Sequence, residues 1–342
     1  MTGRRTIRAG GERLSAPLHV RSALVCAGLV AVALAVGLAS IATGDFSLTP
    51  DEIVNALLGR GAAGTSFIVW DLRLPRLLVG LLVGGALGAA GAIFQSLTRN
   101  PLGSPDIIGF TWGAAAAAVL AIIVTGGGQL ATAGGALAGG TLTAAAVYLL
   151  ALRGGDSGYR LILVGIGISA MLAALTALLI ARAQLGSAQA ARAWLAGTLD
   201  GRGWEYALPL GAALVVLAPL VAALVPRLAV IELGEDAARG LGVDVQRSRL
   251  AMLAVAVALT AVATAATGPI AFVALAAPQL ARRLTRLSGP NVVAAALMGA
   301  TLLVSGDLLS QRLFGSGQLP VGVTTGALGA VYLIWLLQRR WR

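Results

Sequence analysis

Apolar residues fill this chain in long runs separated by short polar breaks. The runs cover approximately 22–42, 76–97, 107–125, 130–152, 160–182, 205–226, 248–267, 269–285, 292–311 and 321–338. A helix needs about 20 apolar residues to cross the hydrocarbon core of a bilayer, and nearly every run reaches that length. The third and eighth are short or interrupted by glycine. The pattern predicts an all-α fold: a polytopic transmembrane bundle of about ten spans. It has a tail at 1–21, one transmembrane domain at 22–338 and a short tail at 339–342.

Composition agrees with the pattern. Of 342 residues, 58% are hydrophobic and 11% charged, more apolar surface than a soluble domain of this length can bury. The formal net charge of +11 raises the question of a nucleic-acid partner. The arginines form no single surface, however; they recur at the ends of the apolar runs, which excludes that reading. With an inside N-terminus, most of them fall on the cytoplasmic side, as the positive-inside rule requires. Both termini are then expected in the cytoplasm of a multi-pass protein of the inner or plasma membrane. The first run is too long for a usual signal-peptide core and is followed by many more, so it reads as a first span. The lone cysteine, Cys26, lies within it and can form no disulfide framework.

Missing residue types narrow the chemistry further. No lysine occurs, so a standard P-loop, which needs Gly-Lys-Ser/Thr to hold phosphates, is excluded. The one histidine, His19, lies in the N-terminal tail, leaving no histidine-based metal site or proton relay in the membrane. No catalytic residue, metal site or cofactor is expected. Among the 14 acidic residues only Asp307 lies clearly within a span, ahead of Arg312. Pairing with an arginine or capping a helix end is preferred there to binding a coupling ion. A transporter of this kind must take its energy from another protein. The alternative is a secondary transporter of an apolar solute.

Several segments carry more specific information. In the outer loop, 43–75, Thr49-Pro50-Asp51-Glu52 forms a capping box with proline at the first helical position, which predicts a short amphipathic helix. Gly80, Gly84 and Gly88 share one helical face, and the same spacing recurs at Gly135/Gly139 and Gly322/Gly326; such pairs let backbones approach closely. Asn100-Pro101-Leu102-Gly103-Ser104-Pro105-Asp106 stops a helix and fixes a turn. The cytoplasmic segment 227–247 alternates Leu and Ala with Glu and Arg over a short helix closed by glycines, a composition suited to docking a partner.

Four stretches together resemble the permease subunits of ABC importers for iron–siderophore complexes, haem and vitamin B12, the FecCD type. They are Leu72-Arg73-Leu74-Pro75-Arg76; Gly91-Ala92-Ile93-Phe94-Gln95-Ser96 through Asn100-Pro101-Leu102; Gly268-Pro269-Ile270-Ala271-Phe272-Val273 through Pro278; and Gln318-Leu319-Pro320-Val321-Gly322-Val323. The likeness is greatest to ferric-enterobactin (catecholate siderophore) permeases. It implies ten helices and a second permease subunit, with a heterodimer favoured and a homodimer the alternative. It also implies two separate ATP-binding subunits, a periplasmic or lipid-anchored substrate-binding protein, and a ferric siderophore as cargo. ATP would be bound by the partner ATPase, and the permease itself would not be an enzyme.

The resemblance further implies that Glu235, Asp236, Ala237, Ala238, Arg239, Gly240, Leu241 and Gly242 form the region that couples to the ATPase. Arg73, Arg76 and Arg312 are similar to arginines that receive carboxylates of the binding protein. Asn100, Pro101 and Leu102 with Gly158 and Tyr159 match the loops of an inner gate. One departure stands out: Gln279 follows Pro278 where the family commonly has histidine, which argues against a titratable group at that place.

Overall fold

The computed structural model describes residues 4–9, 14–44, 46–105, 109–152, 157–312 and 319–340. Ten helices answer to the ten apolar runs: α1 (Val20–Ala42), α4 (Leu74–Thr98), α5 (Phe110–Thr125), α6 (Gln129–Leu152), α7 (Ser157–Arg182), α9 (Trp204–Glu232), α11 (Val245–Thr267), α12 (Val273–Thr285), α13 (Val292–Arg312) and α14 (Val321–Arg340). Four short ones intervene: α2 (Pro50–Leu57), α3 (Ala63–Phe67), α8 (Leu185–Leu195) and α10 (Glu235–Gly240). A π-helical turn at Ile68–Arg73 joins α3 to α4. Ahead of α1, strands β1 (Arg4–Ala9) and β2 (Leu14–His19) pair as an antiparallel hairpin, the only strands among the described residues.

Seven of the helical segments are long and apolar enough to cross a membrane, and α5 and α14 are shorter apolar helices. The eighth run behaves differently from its expectation as a span. Its chain is unwound from Gly268 to Phe272, and α12 has only 13 residues. At 1.5 Å per residue it rises about 20 Å, short of a hydrocarbon core of about 30 Å.

Helix α4 is the hub. In its most apolar window 72% of residues are buried, against 6% for α9, which packs one face on α4 and α11 and leaves the other to the surroundings. The small residues of α4 explain its centrality. A methyl group on Gly84 would overlap the Gly299 carbonyl of α13, and one on Gly299 would overlap the Gly84 carbonyl. Gly88 lies as close to the Ala295 carbonyl and Gly91 to the Ala274 carbonyl. Backbones at this separation gain dispersion contacts along both helices, which is how helices associate where lipid removes the hydrophobic drive between them. Gly139 meets Gly113 of α5 in the same manner, whereas Gly326 has open space beside it. The expected Gly322/Gly326 pair is therefore tight at its first member only.

Helix α8 lies within the segment expected to be a loop between the fifth and sixth runs. Its Ala-rich core, Ala188 to Ala193, has high helix propensity, a signal that was available in the residues. The chain after it is fastened to neighbouring helices by backbone bonds: Thr198 N–H donates to Thr267 O at 2.9 Å, and Gly322 N–H to Gly197 O at 3.0 Å.

Candidate transport surfaces and gate

One end of the bundle carries Arg73, Arg76 and Arg312. Helix α2 forms there with its capping box complete: Glu52 N–H donates to Thr49 Oγ1, while Thr49 N–H and Oγ1–H donate to the Glu52 carboxylate at 2.8 and 2.9 Å. These bonds, the backbone one first, hold the Glu52 pKa below its ordinary value. Arg73 donates to the carbonyls of Ile41 and Phe46, fastening the end of α1 and the loop after it. Arg76 makes a bidentate pair with Asp307, Nε to Oδ2 at 3.0 Å and Nη2 to Oδ1 at 2.9 Å. Its Nη1 reaches the exposed Asp200 at 3.3 Å. Asp307 also accepts from Gln311 Nε2 at 2.8 Å. Asp307 thus joins α13 to α4 through Arg76, on the helix that also carries Arg312. Arg312 ends α13 and is exposed, while Arg73 and Arg76 are half-buried.

Between the two ends a cleft of about 590 Å³ opens along α5, α8, α12 and α14. Ser104, Trp112, Leu195, Phe272, Gly322 and Val323 are among its lining residues, and none of the described residues that line it is charged. Phe272 adopts a left-handed backbone, φ 70°, at the start of α12, and its ring lies on the Gly329 backbone of α14. Such a conformation is costly for a residue with a Cβ. It lets α12 begin in the interior of the bundle beside the cleft.

At the opposite end α4 stops at Arg99, which is left-handed with φ 49°. The following turn is closed by Gly103 N–H donating to Asn100 O at 2.9 Å and Leu102 N–H donating to Asn100 Oδ1 at 2.9 Å. Gln279 Nε2 donates to Pro101 O at 2.7 Å, so the Asn100–Leu102 turn rests on α12. Gly158 and Tyr159 fall in the first turn of α7; the Tyr159 side chain, Asp106 and Gln318 lie outside the described residues.

Helix α10 lies at this end between α9 and α11. Gly234, φ 125°, breaks the chain from α9 and Gly242, φ 78°, turns it towards α11. Ala238 is fully buried and anchors the helix, while Asp236, Ala237, Arg239, Gly240, Leu241 and Gly242 are exposed. Glu235 receives Arg239 at 3.0 Å and Arg249 of α11 at 2.9 Å, and Asp236 also receives Arg239 at 2.9 Å. Leu233 and Leu241 project into solvent at 72% and 67% exposure. The two leucines leave apolar surface uncovered beside the glycine hinges at this end of the bundle.

A bundle of long apolar helices around a cleft lined, among the described residues, by uncharged side chains is the architecture of a polytopic membrane protein. The sequence profile of the FecCD transport family matches residues 32–339. The chain is 44% identical to the ferric enterobactin transport system permease protein FepG of Escherichia coli (strain K12), covering 93% of this chain and 96% of that one. It is 40% identical to the achromobactin transport system permease protein CbrC of Dickeya dadantii (strain 3937), covering 89% and 88%. Among solved structures, a metal-chelate type ABC transporter in an inward-facing conformation superposes with a TM-score of 0.80 at 27% identity, covering 93% of this chain and 99% of that one. The chain belongs to the FecCD transport family. It is a permease subunit of an ABC importer, works with ATPase and substrate-binding partners, and leaves ATP hydrolysis to a separate subunit.

Proposed function

We propose that this chain forms one half of a path for a ferric catecholate siderophore, the other half coming from a second, non-identical permease. The observation that carries this reading is the 44% identity, end to end, to a ferric enterobactin permease. The cleft supports it. Its uncharged wall, open to one side of the bundle, suits a bulky chelate that passes without being held tightly. The arginine-bearing end faces outward and receives carboxylates of the loaded binding protein at Arg312 first, and at Arg73 and Arg76 by exchange for the acceptors they hold within the bundle. An arginine fork suits bidentate recognition of a carboxylate. Arg312 makes the first contact, because it is the exposed member of the three.

Residues Glu235 to Gly242 enter a cleft of the ATPase on the cytoplasmic side, with Leu241 as the apolar contact. Closure of two ATPase subunits around ATP moves α10 and switches the gates, of which Asn100, Pro101, Leu102, Gly158 and Tyr159 form the inner one. The mechanism is alternating access: an ion gradient supplies none of the work.

Uptake of ferric enterobactin into proteoliposomes containing the assembled importer tests the proposal. Transport requires enclosed ATP and the added binding protein, and it survives an ionophore. Arg312→Glu raises the binding-protein concentration needed for half-maximal uptake by about tenfold, the cost expected of reversing one charge in a docking pair. Uptake that collapses with the ion gradient and ignores ATP would sink the reading.

A further inference from the structure

We propose that Gln279, Arg99 and Arg282 are positioning residues that tie the Asn100–Leu102 turn to α10, so that the inner gate moves when the coupling helix does. The inference rests on the importer reading above. The contacts that carry it converge on three backbone or side-chain oxygens. Ile231 O, in the last turn of α9, accepts the N–H of Gly234, the residue that caps α10, at 3.1 Å. The same oxygen accepts Arg99 Nη2 at 3.1 Å, and Arg99 immediately precedes the gate turn. A single carbonyl therefore joins the start of the coupling helix to the end of α4. The carbonyls of a helix's last turn lack partners within the helix and favour a cation, so the arginine is held there by charge as well as geometry.

Helix α12 closes the loop from the other side. Gln279, 8% exposed, donates to Pro101 O at 2.7 Å. One turn further on, Arg282 Nη2 donates to Ser96 Oγ of α4 at 3.2 Å and lies 3.9 Å from Glu232, next to Ile231. The end of α9, the end of α4 and α12 thus form a triangle at the base of the bundle, and the gate turn occupies one of its corners.

Gln279 holds two acceptors at once: its Nε2 also donates to Leu275 O in its own helix at 3.3 Å. The two N–H groups of one amide thus pin the Pro101 carbonyl to α12, and releasing it gives up one buried hydrogen bond. An apolar side chain could not hold Pro101 O. A neutral imidazole at this position can donate one such bond through Nε2.

The test measures chelate uptake and ATP hydrolysis together in proteoliposomes holding the complete importer, with ferric enterobactin as the probe. In Gln279→Leu and Arg99→Gln, binding-protein-stimulated hydrolysis stays within about twofold of the wild type. Uptake falls about tenfold, the weight of one buried hydrogen bond, and ATP consumed per chelate rises accordingly. Gln279→His restores the wild-type ratio. A variant that assembles and keeps that ratio overturns the inference. Failure of both variants to assemble also overturns it, since the contacts would then hold the fold and not the gate. If the wild-type importer shows no ATP-driven uptake at all, the importer reading fails instead.

Discussion

The Arg76–Asp307 pair is the point at which one substitution should cost most. Asp307 has a side chain 6% exposed and Arg76 one 17% exposed, and two parallel bonds of 3.0 and 2.9 Å join them. Asp307→Leu takes from the guanidinium its bidentate acceptor, and Arg76→Met takes from the carboxylate its two charged bonds, leaving it Gln311 Nε2. Removing one member of a buried ion pair costs about 3–5 kcal/mol, mostly because the remaining charge stays out of water. Replacing both with apolar residues of similar volume removes that penalty, so the double variant should lie within about 1 kcal/mol of the wild type. The coupling energy of the cycle is then about 5 kcal/mol or more in magnitude. Equilibrium unfolding of the purified chain in bicelles, titrated with SDS and followed by far-ultraviolet circular dichroism, measures all four corners. Single variants costing under about 1 kcal/mol, or a coupling near zero, would refute the argument that this pair is a buried, mutually dependent unit. The double variant also separates roles: it keeps the fold, so any loss of binding-protein docking in it reports on the Arg76 guanidinium itself.

Three further outcomes follow from the packing and the caps. Gly88→Leu, whose side chain must enter the space of the Ala295 carbonyl, should prevent α4 from seating on α13 and abolish folded yield, whereas Gly326→Ala, with open space beside it, should leave yield unchanged; size-exclusion profiles in detergent compare the two. Glu52 has a folded pKa below its ordinary 4.5, so the capping box gives α2 its full protection above that value and loses it as pH falls through the lower folded one. Amide protection over 50–58 should show this acid loss, and Glu52→Gln should remove the pH dependence; an identical profile in the variant would contradict the assignment. Leu241→Asp, at a side chain 67% exposed, should leave the chain's own unfolding midpoint unaltered while weakening its association with the ATPase by about tenfold, as read by pull-down titration.

The ten helices were legible because each stands on a run of apolar residues long enough to dominate every local alternative. The cap on α2 was equally legible, since its four residues are contiguous. What the sequence could not supply was partnership across distance. Asp307 was expected to pair with an arginine, and Arg312 is the near one in sequence, yet the partner is Arg76, which α4 carries alongside α13. Gln279 stood out only as a departure from histidine; its contact with Pro101 O depends on how α12 crosses the end of α4. Helix α8 was missed because its mixed polarity resembles a loop, although its alanines favour a helix. The unwinding at Gly268–Phe272 was hidden because an apolar run looks the same whether or not its backbone is helical.

The seam around Gly197 has a consequence for how such a path can change its cargo. The segment after α8 is joined to α11 and α14 through main-chain atoms, Thr198 N–H to Thr267 O and Gly322 N–H to Gly197 O. Main-chain bonds do not depend on side-chain identity. Leu195, Trp112 and Val323 can therefore be exchanged, altering the shape and polarity of the cleft, without unfastening the wall that carries Leu195. The constraint falls instead on three glycines. A Cβ on Gly197, Gly268 or Gly322 would overlap a carbonyl oxygen of Pro269, Trp194 or Ala196. In the proposed path, side chains then set which chelate fits and backbone sets closure, so the first can drift while the second stays fixed.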